Sequence, residues 1–136
     1  HKVEPMVLES FLNGAMGITY YCYRDFDTPL DFYYHAKALA ELAPYEDLLA
    51  DGKPVTVQTD NPTLATSAYR NANSMLILVG NYSRTPKTRI KITLPIAAPV
   101  RVTDVLTDKP LKPSRTLELD VAPEAFTLIF CKGAGD

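Results

Sequence analysis

The chain has 136 residues, 46% hydrophobic and 22% charged, with 14 basic residues against 16 acidic and a formal net charge of -2. At about 150 residues per domain this predicts one domain, with apolar content enough to bury a core and too high for a disordered chain. The near-neutral balance excludes the basic footprint of a nucleic-acid binder, and the longest dense apolar stretch, Met75 to Val79, is far too short to span a membrane.

In chain order, the opening His1-Lys2-Val3-Glu4-Pro5 is not followed by the apolar region of a signal peptide. Pro5 suits a first helical turn. Val7, Leu8, Phe11, Leu12 and Ala15 then recur at spacings of three and four, with Glu9, Ser10 and Asn13 on the other side. Gly14 is placed to end this helix in a left-handed conformation. Gly17-Ile18-Thr19-Tyr20-Tyr21-Cys22-Tyr23 is aromatic and β-branched and hardly alternates. That pattern predicts a strand covered on both faces, as in a parallel sheet. Residues 24–28 are polar and loop-like. Thr28, Pro29 and Asp31 then form a helix start, with Thr28 as N-cap and Asp31 in the reciprocal capping-box position. The second helix is predicted from Pro29 to Leu42, followed by a helical turn over 45–50. Its apolar face carries Phe32, Ala36, Leu39 and Ala43; Tyr34, Lys37 and Glu41 lie opposite.

Beyond the turn signal Asp51-Gly52 the period changes from 3.6 to 2. Val55 and Val57 alternate with polar neighbours. Leu64 to Arg70 and Met75 to Gly80 read as two strands joined by the turn Asn71-Ala72-Asn73-Ser74. Alternation resumes at Ile90, Ile92 and Leu94, at Val100 and Val102, at Leu117, Leu119 and Val121, and at Phe126, Leu128 and Phe130. About seven short strands of this kind predict an antiparallel β-sandwich with one wet face on each sheet.

The fold class is therefore α+β in two unequal parts. Residues 1–51 form a helix–strand–helix segment and residues 52–136 a sandwich. The first part is incomplete: one parallel-type strand cannot cover its own faces or pair both its edges. The chain also opens on His1 rather than Met. The expectation is the tail of a larger barrel-plus-sandwich protein, or a chain completed by a second one.

Here the sequence resembles a known family. The run from Leu8 to Tyr21 is similar to the last helix–strand step of a (β/α)8 glycoside hydrolase barrel. The run from Asp31 to Leu42 resembles the final barrel helix, and Tyr45 to Lys53 the link into a C-terminal β-sandwich. Leu76-Ile77-Leu78-Val79-Gly80-Asn81-Tyr82 resembles a strand of such appended domains. The resemblance implies a parent glycoside hydrolase whose two catalytic carboxylates follow the fourth and seventh strands. Both positions would precede His1, so no catalytic residue is assigned in this chain. It implies the rest of the barrel, or a second chain, as partner and a carbohydrate as substrate.

Tyr23, Arg24 and Asp25 follow the expected eighth strand. The strand C-termini of such a barrel form its active face, which makes the three residues candidates for sugar contact. The alternative is a solvated loop in which Asp27 or Thr28 caps the next helix. Asp25 and Asp27, two residues apart, have no reason to flank a glycosidic bond as an acid/base pair. Tyr69 and Tyr82 are candidates to stack on a sugar if exposed, in a chain without Trp. His35 lies at the edge of the apolar stripe of its helix and reads as a boundary histidine. A Cys22–His35 nucleophilic pair would need a third orienting group. Cys22 and Cys131 sit in apolar runs and read as buried thiols. Two His and two Cys without ligand spacing predict no metal site, and the scattered glycines form no phosphate loop, so no cofactor is expected. Asn81-Tyr82-Ser83 matches the glycosylation pattern, and its strand-to-loop position favours a chance match. The rival to a hydrolase portion is a non-enzymatic carbohydrate-binding or protein-interaction sandwich module. An unrelated small α+β protein is a third reading.

Overall fold

The structure is a computed structural model and describes residues 2–19, 28–84, 88–97 and 99–133. Among the described residues three helices precede the strands: α1 (Val3–Leu12), α2 (Pro29–Leu42) and α3 (Glu46–Asp51), with the 3-10 turn Ala43–Tyr45 between the last two. Nine strands follow among the described residues: β1 (Lys53–Val55), β2 (Gln58–Thr59), β3 (Ala65–Arg70), β4 (Ser74–Asn81), β5 (Arg89–Thr93), β6 (Arg101–Asp104), β7 (Lys109–Leu111), β8 (Thr116–Asp120) and β9 (Ala125–Lys132).

Among the described residues all strand pairs are antiparallel. A six-stranded sheet runs β1-β3-β4-β9-β6-β7 and a three-stranded sheet runs β2-β5-β8. The two sheets enclose one core, made by Met75, Ile77 and Val79 of β4, Ile129 and Cys131 of β9, Ile90 and Ile92 of β5 and Leu117 of β8. The helices cover the other face of the larger sheet. There Leu76 and Leu78 of β4, Leu128 of β9 and Tyr69 of β3 meet Val7, Leu8 and Leu12 of α1, Ala38 and Leu42 of α2, and Leu48 of α3.

The layer order is thus helices, large sheet, small sheet. It departs from the expectation that each sheet has a wet face. Successive side chains of a strand point to opposite faces, and β4 is buried from Met75 to Asn81 because both faces are covered. The unbroken apolar run at Met75 to Val79 is the signature of that strand. The run at Gly17 to Tyr23 was expected to be the two-sided one. Residues 17–19 carry no strand, and 20–23 lie outside the described residues. The small sheet keeps the alternating pattern, buried at Ile90 and Ile92 and exposed at Arg89 and Lys91. Lys91 Nζ lies 3.2 Å from Glu118 Oε1 directly across the sheet.

Local signals explain the element ends. Gly14 has φ 94, its N–H reaching the Phe11 carbonyl at 2.9 Å and that of Ala15 the Ser10 carbonyl at 3.0 Å. This pair closes the last turn of α1 as glycine-terminated helices do. Asn13 Nδ2 then donates to Ser67 Oγ of β3 at 3.1 Å, tying the helix end to the sheet. At the start of α2, the Thr28 N–H donates to Asp31 Oδ2 at 2.9 Å, the reciprocal bond expected of a capping box. The β3–β4 hairpin closes where expected, the Asn71 Oδ1 accepting from the N–H groups of Asn73 at 3.1 Å and Ser74 at 2.8 Å. Strand β7 was not anticipated: Lys109-Pro110-Leu111 has no alternation, and its proline suits an edge position. The strand predicted at Val55 and Val57 is two strands, β1 and β2, one in each sheet.

Candidate functional site

Of the residues proposed for sugar contact, Tyr23, Arg24 and Asp25 lie outside the described residues, as do Cys22 and Asp27. Tyr69 and Tyr82 have opposite fates. Tyr69 faces the helices, is 7% exposed and donates its hydroxyl to the Leu49 carbonyl at 3.2 Å. It fails the condition of exposure because α3 covers that part of the sheet, and its ring is core. Tyr82 is 51% exposed.

Tyr82 lies at the mouth of a groove of about 700 Å³ between α1 and the ends of β4 and β9. Lys2, Pro5, Met6 and Glu9 line one side, Glu124 and Phe126 the other. The position of the Tyr82 ring follows from Gly80. Residues 80 and 82 share a sheet face, and a side-chain carbon at Gly80 would meet the Tyr82 ring, with Oη 2.6 Å away. The ring therefore occupies the space that glycine leaves. Phe126 is paired directly opposite Gly80 and shares that face. Burial, then the charge of Glu9, pushes the Tyr82 hydroxyl up to about 12, so it is a neutral donor at any ordinary pH.

Glu124 enters the groove from an unusual backbone. Its φ is 59, in a turn that runs from Ala122 through Pro123 and is closed by the Ala125 N–H to the Ala122 carbonyl at 3.1 Å. Proline second and a left-handed third residue are the marks of a type II turn, where glycine is the usual third residue. Arg84 Nε lies 3.3 Å from Glu124 Oε1, both side chains largely in water. The sequence reading missed Glu9, Glu124, Met6 and Phe126 as groove residues. The available signal was a glycine two residues before a tyrosine in an apolar strand.

A second surface is the outer side of α2. Phe32 is 48% and Leu39 39% exposed, beside Leu30 and Tyr33 at 58% each. These include residues that the periodicity assigned to the core. The buried positions of α2 are instead Asp31, Ala38 and Leu42. Between α1 and α2, Lys37 Nζ lies 2.5 Å from Glu4 Oε1 and 3.3 Å from Glu41 Oε1, and Glu4 is 3% exposed. Desolvation pulls the Lys37 ammonium down, but its hydrogen bond to Glu4 and the charges of both carboxylates outweigh that, and the net shift is upward.

Asn81 is 0% exposed, and its Nδ2 donates to the Val121 carbonyl at 3.0 Å, so it is a structural residue and not a glycan acceptor. Cys131 is buried and free, and burial pushes its thiol up to about 12, which makes it a poor nucleophile. His35 is partly buried in α2. Among the described residues no group of His, Cys, Asp or Glu could hold a metal ion, and no helix is long and apolar enough to cross a membrane.

No family model and no curated protein matches the chain. Solved structures do match in fold. Arthrobacter globiformis isomalto-dextranase in complex with panose aligns over 98% of this chain and 24% of its own, with a TM-score of 0.61 at 17% identity. α-Galactosidase I of Mortierella vinacea aligns over 100% of this chain and 37% of its own, with a TM-score of 0.57 at 12% identity. A GH27 β-L-arabinopyranosidase from Geobacillus stearothermophilus aligns over 77% and 26%, with a TM-score of 0.52 at 13% identity. The chain thus has a fold found within glycoside hydrolases, and it spans between 24 and 37% of the length of these three structures.

Proposed function

We propose that this chain is a non-catalytic portion of a carbohydrate-active glycoside hydrolase. Its β-sandwich supports a barrel, and its helices form the seam between the two. The observation that carries this reading is the fold likeness, which extends over 98 and 100% of the chain within two larger glycosidases. The exposed apolar side of α2 supports it. A helix that leaves Leu30, Phe32, Tyr33 and Leu39 partly exposed while burying Asp31 suits contact with further protein on its outer side. In this reading the rest of the barrel, or a second chain, covers that side, and Tyr23, Arg24 and Asp25 contribute to one wall of the sugar cleft.

The test is an assay of the isolated chain on 4-nitrophenyl glycosides, with no turnover expected. Turnover surviving Asp25→Ala and Asp27→Ala would reveal a catalytic site within this chain and overturn the non-catalytic assignment. Sedimentation tests the seam: the isolated chain should self-associate, and Phe32→Glu with Leu39→Lys should return it to monomer. A binding or interaction module is the second reading, favoured by the groove at Tyr82.

A further inference from the structure

Three features converge in the groove beside α1. An aromatic ring is held half-exposed across the space left by Gly80. Apolar surface from Met6 and Phe126 adjoins it, and the carboxylates of Glu9 and Glu124 line the same groove. Glu124 is placed there by a left-handed backbone that favours glycine, and such strain is concentrated at functional positions.

We propose that this groove binds a neutral pyranose. The apolar C–H face of the sugar lies on the Tyr82 ring, and its hydroxyls donate to the carboxylates of Glu9 and Glu124. The size is suitable: about 700 Å³ falls within the range of small-ligand sites. The charge selects against acidic sugars. Among the described residues two carboxylates and Lys2 are the charged groups that line the groove. Arg84 pairs with Glu124 Oε1, with 91% of its own side chain in water. Tyr82 contributes its phenol as a neutral donor, so no ionisation competes with stacking.

The test is a nitrogen-15 NMR titration of the full chain with methyl α-glucopyranoside, methyl α-galactopyranoside and maltotriose. Saturable shifts are expected at residues 5–9, 80–83 and 124–126. Tyr82→Ala should weaken binding about tenfold or more, and Tyr82→Phe much less. Gly80→Ala should act like Tyr82→Ala while keeping the tyrosine, because the added carbon displaces its ring. Glu9→Gln lies on the helix surface and should fold normally while weakening binding about threefold. Glucuronate should bind more weakly than the neutral sugars. The proposal is overturned if none of the neutral sugars saturates, if shifts map elsewhere, or if Gly80→Ala and Glu9→Gln leave affinity unchanged. Binding of tetramethylammonium without binding of sugars would also overturn it, by marking a cation site. Phe32→Glu should not alter sugar binding, which keeps this result separate from that of the barrel seam.

Discussion

α1 and α2 lie side by side and place their predicted apolar stripes differently. In α1 the stripe points inward: Val7 is 2% exposed, and Leu8 and Leu12 are 0%. In α2 the residues facing inward are Asp31, Ala38 and Leu42, while Phe32 and Leu39 point out. The difference lies in what each helix meets. α1 lies directly on β4 and β3, where Leu76 and Leu78 offer an apolar floor. α2 packs mainly on α1, which presents Glu4 as well as apolar side chains at the seam. Lys37 answers Glu4, so α2 turns this charged pair together with Ala38 and Leu42 toward α1 and leaves Phe32 and Leu39 partly in water. An apolar stripe thus marks a face that will be covered, but the periodicity alone does not say by what.

The largest effect should come from the floor of α1. Leu8→Ala, at a position 0% exposed, should cost about 2 to 5 kcal/mol in urea unfolding. Phe32→Ala and Leu39→Ala should each cost distinctly less, about 1 kcal/mol or under. Equal losses at Leu8 and Phe32 would abolish the contrast between the helices. Next in size is the seam. Lys37→Met leaves the buried carboxylate of Glu4 without its cation, a loss of about 1 to 3 kcal/mol. The lower half of that range is expected, because the Lys37 side chain is 40% exposed and water already screens the pair. A neutral outcome would mean that α2 is not held inward by Glu4.

Much of this arrangement could be read from residue order. The stripe and glycine stop of α1, the Thr28–Asp31 start of α2 and the Asn71 hairpin are local signals, and each lies where its chemistry places it. What could not be read was which partner each face would meet. The alternating strands of the small sheet have one environment per face, so their period is visible. β4 has apolar cover on both faces, and its run looks the same whether helices or a second sheet supply that cover. The candidate stacking residues show the same limit. Tyr69 and Tyr82 are alike as residues, but α3 covers one and Gly80 makes room for the other. β7 escaped notice because an edge strand with proline needs no hydrophobic period.

The smallest effect is the most specific to the seam, because it depends on pH. Burial, then the charge of Glu4, holds the Glu41 carboxyl above its ordinary value of 4.5, against the opposing pull of Lys37. Its Oε2 is buried without a hydrogen-bond partner. A carboxyl whose folded value exceeds its unfolded one binds its proton more tightly in the folded chain. Its contribution to stability is therefore fully present below 4.5 and is lost as pH rises through the folded value. Glu41→Gln removes this dependence by installing a neutral side chain of the same shape. The variant should melt above the parent at pH 7, and the gap should narrow as the solution is acidified through the folded value down to 4.5. Thermal unfolding followed by circular dichroism across that range measures the gap directly. If Glu41→Gln is instead less stable at pH 7, the ion pair with Lys37 outweighs burial at Glu41, and the inward turn of α2 is driven by two carboxylates rather than by Glu4 alone.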